Sequence, residues 1–368
     1  MNTLKIDHIT LTHAQIPLVT PYKISQKTFH HFDPFIVEIT DSDGRTGFGE
    51  GHICPGYSFE TMEDGWAYCR EWCEKIVGMS VDDAHSAVMT TTVEHPTASS
   101  AILGALEMLG GHKFLNIDED TRIPLLDPVH EMDVDRIPAE IDELIEKGFK
   151  TLKVKVGFDV DDDLQRVAVI QQSISGRGVQ IRLDANRNFD ADQGSRFGAA
   201  LDPENIMLFE QPCGSKDWDS NAAVAKVSNV PVMMDESIYV REDIDKSAAI
   251  EGVGFVKLKL KKFPSMDLLK EGLDHIRALG LTPVLGDGTS TDIQCWMEAC
   301  VARGTIDNAG ENNGFLKLTH SVFEEQLPFD NGDIVMPKGY MPILNQGVID
   351  AHLVKSETFS AKSQGTAE

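Results

Sequence analysis

Hydrophobic and polar positions alternate with a period of two over residues 4–50. Within that stretch FIVEITDSDGRTGFGEG reads as a strand, a turn at Asp43-Gly44 and a glycine-rich return. Between about residues 59 and 116 the period lengthens, and MEDGWAYCREWCEKIV and SSAILGALEMLGGHKF carry apolar residues at helical spacing. Together they predict an α+β unit of roughly 115 residues, a usual domain size.

From about residue 120 the pattern changes to short apolar runs, each followed by a helical stretch. The runs are RIPLLDPV, TLKVKVG, VQIRLDAN, IMLFEQP, VPVMMDES, GFVKLKL and LTPVLGDG, with an eighth expected around TIDNAGENN. IPAEIDELIEKG, DLQRVAVIQQSI and SMDLLKEGLDHIRALG read as helices between them, each ending near a glycine or polar break. Strands alternating with helices make parallel βαβ units. The polar residue that closes each run recurs steadily: Lys155 to Asp184 is 29 residues, then 26 to Glu210, 25 to Asp235, 24 to Lys259 and 28 to Asp287. Such regularity predicts a (β/α)8-type barrel, whose chemistry sits at the C-terminal ends of its strands.

Composition adds a constraint on partners. The 368 residues carry 33 Lys and Arg against 59 Asp and Glu, a formal net charge of -26. That field repels nucleic acid and anionic membrane surfaces. The opening residues MNTLKIDHIT lack a basic segment followed by an apolar core, and no apolar run is long enough to span a bilayer, so a cytoplasmic chain is expected. The six cysteines follow neither a zinc-knuckle nor a disulfide spacing and are expected to be free thiols.

TLKVKVGF raises the chemical question. Side chains two apart on a strand share a face, so Lys153 and Lys155 point the same way, opposite Leu152, Val154 and Val156. A buried cationic face is costly unless something compensates it. Lys153, Lys155, Asp184, Glu210, Asp235, Lys259 and Asp287 all fall at the mouth of the predicted barrel. Singly each has an ordinary reading: Asp184 as a helix N-cap, Lys153 and Lys155 as edge-strand protection, the lysines of 257–262 as a solvated cluster. Their recurrence at the same end of consecutive strands favours a site. Asp184, Glu210 and Asp235 form a hard, all-oxygen, trianionic set suited to Mg2+ or Mn2+. Lysines flanking it are expected to have pKa values lowered toward those of a general base.

These motifs resemble the enolase superfamily, and within it the muconate lactonizing enzyme subgroup. The resemblance lies in the Lys-x-Lys of LKVKVG, Asp184 and Asn186 in LDANRNF, Glu210 in FEQP, Asp235 in MMDES and the lysine of VKLKLKK, and it covers nearly the whole chain. It implies a modified (β/α)7β TIM barrel at residues 119–327, an α+β capping domain at 1–118, and a C-terminal segment at 328–368 that returns to the cap. It further implies Mg2+ on Asp184, Glu210 and Asp235, with Lys155 as an acid/base and Lys153 lowering its pKa and touching the substrate carboxylate. For the opposing base Lys257 and Lys259 are both on the inward-capable face. The family's Lys-Leu-x-Lys pattern selects Lys259, although Phe263-Pro264 stands where the family has Gly-Gly.

The expected chemistry is abstraction of an α-proton beside a carboxylate, with the resulting enolate stabilised by metal and lysine. Superfamily sites of this kind are a standing example of Lys or His bases working with Mg2+. Lysines on two faces permit racemisation or epimerisation of an amino-acid derivative; the same half-reaction also serves a dehydratase or cycloisomerase, and a non-catalytic barrel is the remaining alternative. Glu311, where dipeptide epimerases of the subgroup have Asp-x-Asp, is a candidate for a substrate ammonium group. Asp287 is either a second such acid or part of a tight turn with Gly288. Asn186 is a further candidate substrate contact, and Tyr57 is expected to close the pocket against water. His30 and His31 read as solvent-facing loop histidines. The partner expected is a small carboxylate substrate, with the chain a homo-oligomer, and the tail KSETFSAKSQGTAE is expected to fray.

Overall fold

The computed structural model describes residues 5–24 and 27–361. Strand β1 (Ile6–Ala14) buries Ile6, Ile9, Leu11, Thr12 and Ala14. The hairpin β2 (Ile16–Ile24) and β3 (Lys27–Phe32) follows, then β4 (Phe35–Asp41) and β5 (Thr46–Gly51), joined at Gly44 with φ +80° as the Asp-Gly turn requires. Helices α1 (Met62–Ile76) and α3 (Pro96–Leu109) pack on this sheet, and α2 (Val81–Met89) packs on α3. Helix α3 is buried along nearly its whole length because β5 lies on it without side chains between them. A Cβ at Gly49 would come within 2.3 Å of the Ala101 carbonyl oxygen.

RIPLLDPV does not form one strand. Its first half is β6 (Thr121–Pro124), which pairs antiparallel with a late strand, and its second half, β7 (Leu126–Val129), begins the barrel. Then come α4 (Ile137–Glu146), β8 (Thr151–Lys155), α5 (Val160–Ile174), β9 (Gln180–Asp184), α6 (Ala191–Ala200), β10 (Ile206–Glu210), α7 (Trp218–Val227), β11 (Val232–Met234), α8 (Arg241–Ala248), β12 (Val253–Leu258), α9 (Met266–Ala278), β13 (Thr282–Leu285) and α10 (Asp292–Ala302). Strands β7 to β13 form one parallel sheet in chain order. Their near-continuous burial is what a parallel sheet covered by helices imposes.

The expected eighth strand is reduced to a single bridge between Leu125 and Gly310. TIDNAGENN offers no run of β-branched residues to extend it. The gap is nevertheless sealed: Gly310 donates to the Pro124 carbonyl (2.8 Å) and accepts from the Leu126 amide (3.0 Å), while the Glu311 amide donates to Leu285 (3.0 Å). The chain is therefore a modified TIM barrel of (β/α)7β type under a strand-rich cap, as the sequence implied. Among the described residues no helix is long and apolar enough to cross a membrane.

After the barrel, β14 (Phe329–Asp330) and β15 (Asp333–Met336) join β6 in a small sheet. Then α11 (Gln346–Ala351) leads to β16 (Leu353–Ser360). The expectation of a frayed tail fails for this strand, which pairs antiparallel with β1 from Leu353 opposite Ala14 to Ser360 opposite His8. Backbone pairing supplies the order that its polar composition does not suggest. The last residues of that tail, 362–368, lie outside the described residues.

Gly49→Ala should destabilise the chain by about 1–3 kcal/mol, because the added methyl meets backbone and not a movable side chain. Denaturant unfolding should show a lower midpoint with unchanged slope; an unchanged midpoint would mean that β5 and α3 can separate freely.

Candidate active site

The barrel register brings the polar strand ends together. Lys155 closes β8, directly beside Asp184 at the end of β9, which in turn lies beside Glu210 at the end of β10. Asp235 and Lys259 immediately follow β11 and β12, and Asp287 follows β13 by two residues. The backbone turns sharply there: Asn186, Arg187 and Gln211 have φ of +42°, +71° and +36°, sparsely populated values for residues other than glycine. Gln211 uses its bend to fix the next strand end, its side-chain oxygen accepting from the amides of Asp235 (3.0 Å) and Ser237 (3.1 Å).

Lysines and carboxylates alternate across the mouth. Lys153 Nζ lies 2.9 Å from Asp184, 3.0 Å from Glu210 Oε2 and 2.7 Å from Glu311. Lys155 donates to Asp184 (2.6 Å) and to Asn186 (2.7 Å), whose amide donates to Glu236 (3.1 Å). Lys257 donates to Glu210 Oε1 (3.0 Å) and contacts Glu311, with Asp235 Oδ2 at 3.5 Å. Lys259 donates to Asp235 (2.8 Å) and to the Tyr57 hydroxyl, and lies over the Tyr57 ring at 4.5 Å from its centroid. Among the described residues no three carboxylate, imidazole or thiol groups converge into a ready cation cage, since ammonium groups stand between the carboxylates.

These contacts correct the expected lysine pKa values. Burial is the largest influence on Lys155 and opposes its charge, as does Lys153, but Asp184 together with Tyr22 and Glu311 outweighs them and the pKa rises. Burial likewise opposes charge on Lys153 and Lys259, and their carboxylate partners raise both. Sequence reasoning counted the neighbouring cations and not the closer anions. On the acid side, burial opposes ionisation of Asp184, yet Lys153 and Lys155 hold it down to about 2. Burial and the adjacent Asp184 push Glu210 up to about 7. Asp235 and Glu311 stay well below the carboxylate range despite burial, held by Lys259 and Lys262 and by Lys153 and Lys257 respectively.

One pocket is lined by Lys153, Lys155, Lys259, Asp184, Asp235, Asn186, Asp287, Glu311 and Tyr57, and Glu210 lies buried beneath it. Glu311 and Asp287 do not stand open for a substrate ammonium group: the first is taken up by Lys153 and Lys257, and the second pairs with Lys261. Asp287 also accepts from the Thr289 hydroxyl (3.0 Å) across the turn. His30 is exposed, and His31 pairs with Asp33 (3.0 Å). Sequence reasoning passed over Glu236, Lys262 and the pair Cys54 and His52. Glu236 was signalled only by its place next to Asp235. Lys262 donates to Asp235 Oδ1 (3.0 Å), and burial together with Lys259 pushes its pKa down to about 8.

The free volume in the pocket is about 40 Å3. The cap residues Tyr22, Cys54 and Tyr57 line this pocket together with the barrel residues. Cys54 itself sits 3.7 Å from His52 Nδ1 and 3.8 Å from Lys261 Nζ.

Carboxylates on three successive strand ends, faced by lysines from the second and sixth strands of a seven-stranded barrel sealed by a single bridge, define a chain of the enolase superfamily. Residues 136–340 match the Enolase C-terminal domain-like family, and the chain belongs to it. It is 24% identical to N-succinyl-L-Arg/Lys racemase of Bacillus cereus, over 70% of this chain and 73% of that one. It is 26% identical to muconate cycloisomerase 1 of Rhodococcus opacus, over 92% and 95%. The solved dipeptide epimerase of Cytophaga hutchinsonii, complexed with Mg and D-Ala-L-Val, superposes with a TM-score of 0.86 at 20% identity, covering 97% of this chain and all (100%) of that one.

Cys54 differs from the other cysteines in its thiol acidity. Burial raises them all, but the His52 and Lys261 charges bring Cys54 down to about 6, whereas Cys213 and Cys300 rise to about 12. The thiolate is the reactive form. Iodoacetamide at pH 7 should therefore modify Cys54 first, at a rate that rises through about pH 6, read by peptide mass spectrometry. Earlier modification of any other cysteine would contradict the pairing.

Proposed function

We propose that the chain is a racemase or epimerase that removes and returns the α-proton of a carboxylate-bearing amino-acid derivative. The observation that carries this reading is the placement of Lys155 and Lys259. Lys155 ends the second strand of the seven-stranded sheet and Lys259 directly follows the sixth, so with the Leu125–Gly310 bridge closing the barrel they face one pocket from different walls, with carboxylates between them. The racemase and epimerase activities named for the relatives support the same assignment.

Asp184, Glu210 and Asp235 would hold a Mg2+ ion, with Mn2+ as an alternative. The donor set fits: all ligands are buried carboxylate oxygens, and Glu210 Oε2 has no hydrogen-bond donor, its near cation being Lys153. When bound, such an ion supplies Lewis-acid stabilisation of negative charge on a substrate carboxylate. Lys153, fixed by three carboxylates, holds a positive charge beside the position where that negative charge grows. Lys155 Nζ and Lys259 Nζ serve as the two proton carriers. Both rest as ammonium groups, so one must shed its proton to act as base while the other delivers from the opposite face. Tyr57 orients Lys259 through its hydroxyl and ring, and closes that wall against water.

In D2O with Mg2+, proton NMR of a panel of N-acyl amino acids and dipeptides should show α-proton exchange with inversion by the wild type. Lys155→Ala and Lys259→Ala should each lower racemisation by about 10²–10⁴-fold. Each single variant should keep exchange for one enantiomer only, because one wall retains its base. Exchange with loss of water or ring closure would assign a lyase or cycloisomerase instead. Equal loss of exchange for both enantiomers would contradict the two-base reading.

A further inference from the structure

We infer that Lys257 is a built-in cation of the carboxylate cluster, which a divalent metal ion must displace onto Glu311 before it can occupy Glu210 and Asp235. This rests on the metal-assisted reading above and concerns a residue that reading leaves without a role.

Lys257 precedes Lys259 by two residues, so both side chains leave β12 on its inward face. It is only 1% exposed and cannot swing its charge into solvent. Its ammonium group instead lies between three carboxylates from three strand ends: 3.0 Å from Glu210 Oε1, 3.5 Å from Asp235 Oδ2 and in contact with Glu311 Oε2. Two of those carboxylates belong to the proposed metal set. Mg2+ binds carboxylate oxygens at about 2.1 Å, so an ion on Glu210 and Asp235 would stand a few ångströms from Nζ and draw on the same lone pairs.

Two cations that close, deep in the barrel, repel strongly. One must move, and of the three carboxylates that Lys257 contacts only Glu311 stands outside the proposed metal set. Glu311 already touches Lys257 and is carried by the segment that seals the barrel. Glu311 is thus the seat to which the lysine retreats, and this explains why it faces the chain's own ammonium groups. The metal-free cluster is already charge-compensated, and the ion enters by exchange with an internal cation and not by filling an uncompensated anionic hole. The cost of that exchange lowers metal affinity.

The test is titration of the full-length protein with Mn2+, following free Mn2+ by electron paramagnetic resonance, for wild type, Lys257→Met and Lys257→Arg. Lys257→Met should bind one ion at least tenfold more tightly than wild type, and Lys257→Arg, which keeps the charge, should not. Should circular dichroism show Lys257→Met unfolded, Lys257→Gln replaces it with the same expectation, since its amide can still hydrogen-bond Glu311 without a charge. Wild-type binding with no gain in the neutral variants overturns this inference and leaves the metal reading standing. Absence of binding by all folded variants overturns the metal reading itself, and this inference with it.

Discussion

Charge compensation at the barrel mouth is the constraint on which the rest of the structure turns. An ammonium or carboxylate group moved from water into a protein interior costs several kcal/mol unless partners surround it. Here buried lysines and buried carboxylates from six strand ends interleave, so that Lys153 alone has three anionic neighbours. No single pair accounts for the arrangement. Each group is tolerable because the barrel register holds its neighbours at fixed places.

The surrounding scaffold serves that register. Asp163 accepts from the amides of Gly157 (2.8 Å) and Phe158 (2.9 Å), and Arg166 bonds both Asp163 and the Lys155 carbonyl, which fixes the turn after β8. Glu298 accepts from the amides of Leu260 (2.8 Å) and Asp287 (3.1 Å), tying the ends of β12 and β13 together. Glu50, at the end of β5, accepts from Thr291 and Gln294 at the start of α10, so the cap is docked onto the barrel by a buried carboxylate at a helix N-terminus. The cap residue Tyr57 then reaches Asp235 and Lys259 from above.

The barrel was legible because its repeat is periodic and each run ends on a charged residue. The Lys-x-Lys of β8 and the carboxylates closing β9 and β10 fall on the same ladder positions that the spacing suggested. Less local features were not legible. The eighth strand is one bridged residue, which no pattern of residue types announces. The polar β16 owes its order to β1, a partner more than 300 residues away, and composition alone reads it as a tail. Lys257 and Lys259 share a face, so the sequence shows that both point inward but not that one is wedged among the carboxylates while the other meets Tyr57. The direction of the lysine pKa shifts depends on distances of about 3 Å to anions on other strands, a quantity that spacing along the chain does not contain.

The most direct test of compensation as the governing constraint is a stability double-mutant cycle on Lys153 and Glu311, using Lys153→Met, Glu311→Gln and the pair in denaturant unfolding. Removing one partner of a buried ion pair costs about 3–5 kcal/mol because the other is left uncompensated. The account predicts that the double variant loses markedly less than the sum of the two single losses. Additive losses would contradict it, and would mean that the charges at the barrel mouth are stabilised independently of one another.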